Sequence, residues 1–313
     1  MLVDGKWIDD EQSYRKAGAF VRAAASFRAF VTADRQSKFP VEAGRYHLYV
    51  ANPCPWCHRT LIFRALKHLE GVVSVGLVDP LLLAGGWRFE EPDPVTGAQF
   101  VHQLYVQADP HYTGRVSVPV LWDKKTATIV NNESSDIIRM FNGVFGSLAN
   151  QGSDYYPEAL RAEIDAINAR VYATVNNGVY RCGFATAQTA YDPAVGELFE
   201  TLDWLDARLA TSRYLLGETI TEADWRLFPT LFRFDAVYYG LFKCNLRHVY
   251  EYSALWPYAR ALYQTPKIAA TCDIDQCKLH YYGSLRMVNP SGVVPKGPRL
   301  DFDAPHERAP ANQ

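Results

Sequence analysis

The chain has 313 residues, 48% of them apolar, and a formal charge of −2 from 32 basic and 34 acidic side chains. That length suits two domains with substantial cores, and the even charge, with no basic cluster, argues against a nucleic-acid partner. The opening MLVDGKWIDDEQ is acidic and broken by Gly5, unlike a secretory leader, and no stretch supplies the roughly 18 uncharged apolar residues of a membrane span, so a cytoplasmic protein without a membrane partner is expected.

Residues 1–43 mix Gly and charged residues with Phe20, Phe27, Phe30 and Phe39 at irregular intervals, which predicts a mostly non-regular extension held by aromatic anchors and wrapping the body. RYHLYVANPCPWCHRTLIFRALKHL begins with alternating Tyr46, Leu48 and Val50, breaks at Asn52-Pro53, and continues at helical spacing through Leu61, Ala65 and Leu69. The apolar, β-branched VVSVGLVDP follows and reads as a buried parallel strand, closing a βαβ unit. Residues 80–114 are dense in Gly, Pro and Asp and predict a long insertion with one short helix at most. VSVPVLWDKKTATIVNNESSDIIRMFN then reads as strand, turn at Asp123-Lys124-Lys125, strand, and a helix entered through Asn131 to Ser134.

Beyond Tyr155-Tyr156-Pro157 the pattern turns helical, with Leu160, Ile164, Ile167, Val171 and Val175 and later Leu198, Leu202, Leu205 and Leu209 recurring on one face. Thr221 with Asp224 three residues on predicts a capped helix start, a folding device; Arg226 and Arg233 beyond it face either a cleft or structural partners. The expected organisation is an extension (1–43), an α/β thioredoxin-like domain (44–147), an all-α domain (148–287) and a Pro- and Gly-rich tail (288–313) docked loosely or not at all.

Six cysteines stand at 54, 57, 182, 244, 272 and 277, and without an export signal they read as thiols. Cys272, Cys277 and His280 lack zinc-ligand spacing and a fourth ligand, so no metal is expected. Cys54-Pro55-Trp56-Cys57 is different, because it follows a strand and opens a helix. Pro55 suits the first helical turn, and the N–H groups and dipole at that end favour a thiolate on Cys54 over the usual thiol pKa of about 8.5. Cys57 lies one turn inward and is expected to be more buried, with His58 and Arg59 adding positive potential.

Val118-Pro119 precedes a strand, where a cis bond would expose backbone groups of Val118 to an incoming peptide thiol. Glu133-Ser134 combines a carboxylate, a hydroxyl and free N–H groups at a helix entry, suited to the ammonium and carboxylate of a γ-glutamyl group. Capping by Asn132 or Ser134 accounts for the same residues without a ligand.

Taken together, YVANPCPWCHRTLI, GRVSVPVLWD, IVNNESSDIIRM, NNGVYRCGFA and HYYGSLRMVNPSGVVPKGP resemble the glutathionyl-hydroquinone reductases, the omega-like Xi class of glutathione transferases, from about Tyr46 to Pro298. The resemblance implies a homodimeric glutathione-transferase fold with Cys54 as nucleophile and glutathione as co-substrate, without metal or nucleotide. It implies that Trp87, Arg115, the backbone of Val118, and Glu133 with Ser134 hold glutathione, and that Tyr180, Tyr281 and Tyr282 line the aromatic site, Tyr180 and Tyr281 assisting catalysis. Its substrates would be small glutathione conjugates. Two residues depart from the family pattern: Cys57 stands where Ala is usual, so an internal Cys54–Cys57 disulfide, with Cys57 as resolving thiol, would compete with the mixed disulfide to glutathione, and Leu285 stands where His is frequent. A glutaredoxin-like thiol transferase or dehydroascorbate reductase would use the same Cys54, whereas a non-catalytic glutathione-binding protein would need no activated thiol.

Overall fold

The N-terminal stretch is mostly non-regular, as its composition predicts, with two small antiparallel hairpins, β1 (Leu2–Val3) with β2 (Lys6–Trp7) and β3 (Arg15–Lys16) with β4 (Ala19–Phe20). In this computed structural model, which describes residues 1–9, 15–149 and 152–308, the chain divides into Met1–Ser13 with Arg22–Asp154, and Tyr14–Val21 with Tyr155–Gln313. Of the expected aromatic anchors, Phe20 and Phe39 are buried and Phe27 stacks on Tyr112, but Phe30 is 46% exposed.

The first unit is built on strand β5 (Tyr46–Val50), buried at every position, so its alternating apolar pattern understates its burial. Helix α1 (Pro55–Leu66) follows, then β6 (Ser74–Leu77), the insertion with helix α2 (Val101–Ala108), strands β7 (Val120–Asp123) and β8 (Thr128–Asn131), and helix α3 (Ser134–Asn142) packed beside α1. The sheet order is β6-β5-β7-β8, with β6 parallel to β5 and the other neighbours antiparallel. β6 is therefore an edge strand of half-buried and exposed residues, not the buried strand its apolar run predicts. Interior strands shed polar groups, whereas an edge tolerates Ser74 and Gly76.

The β5–β7 register, Tyr46 opposite Asp123 through Tyr49 opposite Val120, is pinned at one end by a buried ion pair. Arg45 donates from Nε and Nη2 to the two Asp123 oxygens at 2.8 and 2.5 Å. Asp123 also accepts from the Lys125 N–H and the Thr126 hydroxyl, which ties the following turn to the same carboxylate. The extension is fastened by Arg28, whose guanidinium forks onto Asp136 in the first turn of α3.

The second unit contains α4 (Arg161–Val171), a π-helical turn (Tyr172–Asn176), α5 (Gly178–Gly183), α6 (Gln188–Leu209), α7 (Glu222–Arg233), a second π-helical turn (Phe234–Tyr238), α8 (Tyr239–Leu241), α9 (Leu255–Tyr263) and α10 (Ile274–Ser284). Thr221 and Asp224 form the expected capping box, and the buried Asp224 also accepts from the Leu215 N–H and the Tyr258 hydroxyl. Arg226 pairs with Glu222 at 3.1 Å, and the fully buried Arg233 donates to the Pro229 carbonyl, so both have structural partners within their own helix.

The tail corrects its expectation: although non-regular, it is docked. Phe302 is buried against Phe232, Trp256 and Tyr263, Gln264 donates to the carbonyls of Phe302 and Ala304, and Arg308 reaches the carbonyls of Ser212 and Arg213. Pro- and Gly-rich backbone cannot satisfy itself in a helix or sheet, and here the body's side chains satisfy it instead.

Asp123→Asn leaves the buried Arg45 charge with only the part-exposed Glu42, 3.8 Å away, as counter-ion and should lower unfolding free energy by about 3 kcal/mol, read from the urea midpoint at constant slope. Burial alone would raise the Asp123 carboxyl, but donation from Arg45, Thr126 and the Lys125 N–H outweighs it and holds the group below the usual aspartate range. Its stabilisation is therefore full above about pH 4 and lost as pH falls through the lower folded value, so Asp123→Asn should flatten that acid limb.

Candidate active site

Cys54 is the N-cap of α1, with φ −75° and ψ 122°, and Pro55 occupies the first helical position. The turn that delivers it from β5 is closed by the Cys54 N–H on the Ala51 carbonyl at 3.0 Å, and the Cys54 carbonyl accepts the His58 N–H to start the helix. Its Sγ lies 3.7 Å from the Val118 carbonyl oxygen, and the Val118-Pro119 bond is cis. Cys54 is 7% exposed and Cys57 is fully buried, with the Ala51 N–H directed at the Cys57 sulfur at 3.4 Å. His58 and Arg59 are buried in the same turn, and the guanidinium groups of Arg22 and Arg59 lie 4.9 and 4.7 Å from the Trp56 ring.

Glu133 is itself the N-cap of α3, rather than Asn132 or Ser134. Its Oε1 accepts from the Ser135 N–H and hydroxyl, both at 3.0 Å, and from the Ser134 hydroxyl at 3.5 Å. Glu133 is half-buried and Ser134 buried. Trp87 is buried, and its carbonyl accepts the Val101 N–H at the start of α2. Arg115 is exposed, and its carbonyl accepts from the Tyr112 hydroxyl.

A fully buried hydroxyl joins two of these segments. Tyr105, on α2, donates to the Ser117 carbonyl at 2.8 Å and accepts from the Asn132 side chain at 2.9 Å and the Ser117 N–H at 3.2 Å. The residues it holds immediately precede Val118 and Glu133. The Asn132 carboxamide oxygen accepts the Phe27 N–H in turn, so insertion, extension and both segments share one network.

In the second unit Tyr180 and Tyr281 share a hydrogen bond of 2.5 Å between their hydroxyls, and Tyr281 shares a second, of 3.0 Å, with Tyr238. Tyr238 and Tyr281 are buried and Tyr180 is half-buried, so Tyr180 is the most exposed of the three. Burial, followed by the neighbouring phenols, pushes the Tyr281 hydroxyl well above its ordinary value; burial does the same for Tyr238. Both therefore stay protonated at neutral pH. Phe20, Phe184 and Phe242 pack against the Tyr180 ring, and a Cβ on Gly183 would lie 2.2 Å from Phe242, a close approach that only glycine permits. Tyr282 is half-buried and outside the hydroxyl chain.

Tyr105 and Tyr238 are absent from the sequence-derived site. The chain holds 19 tyrosines, and the hydroxyl partners of these two include residues 27 and 43 positions away, so no local pattern marks them. Among the described residues no cluster of His, Cys, Asp or Glu is arranged to hold a metal, and no helix is long and apolar enough to cross a membrane.

A mixed four-stranded sheet with a cysteine-capped helix, a cis-proline beside the sulfur and a separate helical unit define the glutathione transferase class. Family models for the glutathione S-transferase N-terminal and C-terminal domains match residues 53–143 and 188–261. Glutathionyl-hydroquinone reductase YqjG of Escherichia coli K12 is 49% identical over 98% of both chains, and glutathionyl-hydroquinone reductase PcpF of Sphingobium chlorophenolicum is 49% identical over 95% of this chain and 96% of its own. A Xi class glutathione transferase from Natrialba magadii superposes with a TM-score of 0.92 at 47% identity, covering 98% of this chain and 96% of its own. The glutathione-bound structure of E. coli YqjG superposes with a TM-score of 0.89 at 47% identity over 98% of each chain. The chain belongs to the glutathionyl-hydroquinone reductases, the Xi class of glutathione transferases.

Alkylation with iodoacetamide at neutral pH should modify Cys54 first. Cys54 keeps 7% exposure at its helix start, whereas Cys57, Cys182, Cys244 and Cys277 are 1% exposed or less, and burial pushes the partly exposed Cys272 thiol up to about 12. Peptide mapping after a short exposure checks this, and Cys54→Ser should leave the native protein nearly unlabelled.

Proposed function

We propose that this protein reduces S-glutathionyl-hydroquinones to hydroquinones through a mixed disulfide on Cys54 and releases oxidised glutathione. The observation that carries the reading is Cys54 as the N-cap of α1 with its sulfur 3.7 Å from the Val118 carbonyl. At that position the dipole and the N–H groups of a helix start favour a thiolate, and the Val118 backbone offers hydrogen bonds to a peptide thiol. The names of the two bacterial reductases support the same activity.

The Cys54 thiolate attacks the sulfur of the conjugate. The sulfur–carbon bond breaks, and the aromatic carbon keeps the electron pair and takes up a proton, leaving hydroquinone and Cys54–S–SG. A glutathione thiolate then attacks the glutathione sulfur of that disulfide, releasing oxidised glutathione and the Cys54 thiolate. One conjugate and one glutathione thus give one hydroquinone and one oxidised glutathione. Glu133 and Ser134 hold the γ-glutamyl end, the carboxylate facing the ammonium and the α3 N-terminus the carboxylate; Trp87, Arg115 and Val118 complete the glutathione site.

Tyr180 supplies the proton, with Tyr281 and Tyr282 contributing to the aromatic site. If Tyr238 donates to Tyr281 and Tyr281 to Tyr180, the phenolate left when Tyr180 gives up its proton accepts a hydrogen bond already in place. Tyr238 is then a positioning residue. The reading also carries the homodimer expected of the family and a cytoplasmic site of action, the first of which sedimentation would test.

Purified protein given a glutathionyl-hydroquinone and excess glutathione should release hydroquinone and oxidised glutathione in equal amounts, followed by chromatography, and Cys54→Ser should release neither. Reduction of small mixed disulfides without hydroquinone release would instead favour the thiol-transferase reading.

Tyr238→Phe removes the hydrogen bond, worth about 1 kcal/mol, between Tyr238 and Tyr281, the hydroxyl that in turn bonds the proton donor Tyr180, and should slow hydroquinone release by up to about tenfold. Reduction of a small mixed disulfide, which needs no carbon protonation, should keep its rate. Equal losses in the two assays would remove the proton-donor role.

A further inference from the structure

We propose that Cys54 and Cys57 form an internal dithiol–disulfide couple, through which the protein discharges the glutathione carried on Cys54 without a second glutathione and accepts electrons from a dithiol. The proposal extends the reductase reading and rests on it for the origin of the mixed disulfide.

Counting from Cys54 as N-cap, Cys57 is the third residue of the first turn. These are the two positions of a capping box, in which the N-cap side chain turns over the first turn and the third residue's side chain reaches back toward the N-cap. With Cys at both, the two side chains that would meet are thiols, and neither is in a disulfide in the structure. The Cys57 sulfur accepts the N–H of Ala51, in the turn that leads into Cys54, so it lies on the N-cap side of its own residue. Cys57 is fully buried and Cys54 is 7% exposed, so the division of labour follows: Cys54 meets external sulfur, and Cys57 meets only Cys54.

The step balances without a further oxidant. Cys57 gives up its proton and attacks the Cys54 sulfur of Cys54–S–SG. The Cys54–Cys57 bond forms, the bond to glutathione breaks, and glutathione leaves with the electron pair and takes up a proton. A dithiol reopens the internal disulfide by attack at Cys54, and its second thiol then closes onto its first, releasing both protein thiols and an oxidised dithiol. Intramolecular attack between oriented groups outruns a dissolved thiol at low concentration, so the internal disulfide accumulates when glutathione is scarce.

The test loads the full-length protein with one equivalent of glutathionyl-hydroquinone, or separately of oxidised glutathione, in the absence of free thiol, then quenches it in acid for intact-mass and peptide analysis. The expected wild-type product has lost two hydrogens, with a Cys54–Cys57 cross-link and one free glutathione released per conjugate, or two per oxidised glutathione. Cys57→Ala should stop one glutathione heavier, with the adduct on Cys54. A wild-type protein that yields no Cys54–Cys57 cross-link from either load overturns the proposal. Cross-linking from oxidised glutathione but not from the conjugate upholds the couple and removes the reductase reading, so the two failures are distinguishable. A second readout is turnover of a small mixed disulfide with a dithiol as sole reductant, which should fall at least tenfold in Cys57→Ser; an unchanged rate counts against the couple.

Discussion

The pairing of β5 with β7 is the constraint on which the first unit's chemistry depends. β5 delivers Cys54 and β7 is entered through Val118-Pro119, so the strand register decides which carbonyl the Cys54 sulfur faces. A slip of one residue would turn every side chain of the strand to the other face. The Arg45–Asp123 pair opposes that slip from the far end of the ladder, where two buried charges are satisfied only in one alignment. Buried ion pairs contribute little net stability, but they penalise alternatives heavily.

The segments assigned to glutathione are held in layers. Two helix N-termini, at Cys54 and Glu133, supply directed N–H groups, and the Tyr105 hydroxyl fixes the residues preceding Val118 and Glu133. The Tyr105 hydroxyl donates once and accepts twice, so its hydrogen-bonding capacity is used in full. The long insertion thus contributes a support through α2, while the extension reaches the same node through Phe27 and fastens α3 through Arg28.

The sequence disclosed what is encoded locally. The strand, turn and helix around Cys54, the capping box at Thr221 and the helical periodicity of the second half each rest on residues within one or two turns of one another. Contacts between distant residues were not legible. Glu133 looked like a ligand beside a cap and is itself the cap; Tyr238 looked like one tyrosine among many and completes a hydroxyl chain with residues far along the sequence. The tail misled because Pro and Gly report how the backbone is satisfied, not whether Phe302 has a pocket to enter. The run at β6 misled similarly, since β-branched residues favour a strand at a sheet's edge as much as at its centre.

The hairpin β3–β4 packs against α5 and belongs with the second unit, although the chain on either side of it belongs with the first. Phe20, from this hairpin, stacks on Tyr180 and Phe184 and so completes the wall behind the proposed proton donor. The chain therefore passes between the units more than once, and a cut near residue 154 does not yield two self-sufficient modules. A helical half exchanged for that of another transferase would arrive without its Phe20, its aromatic wall open on one side. Recombination at the apparent domain boundary is thereby disfavoured, and the two halves are bound to vary together.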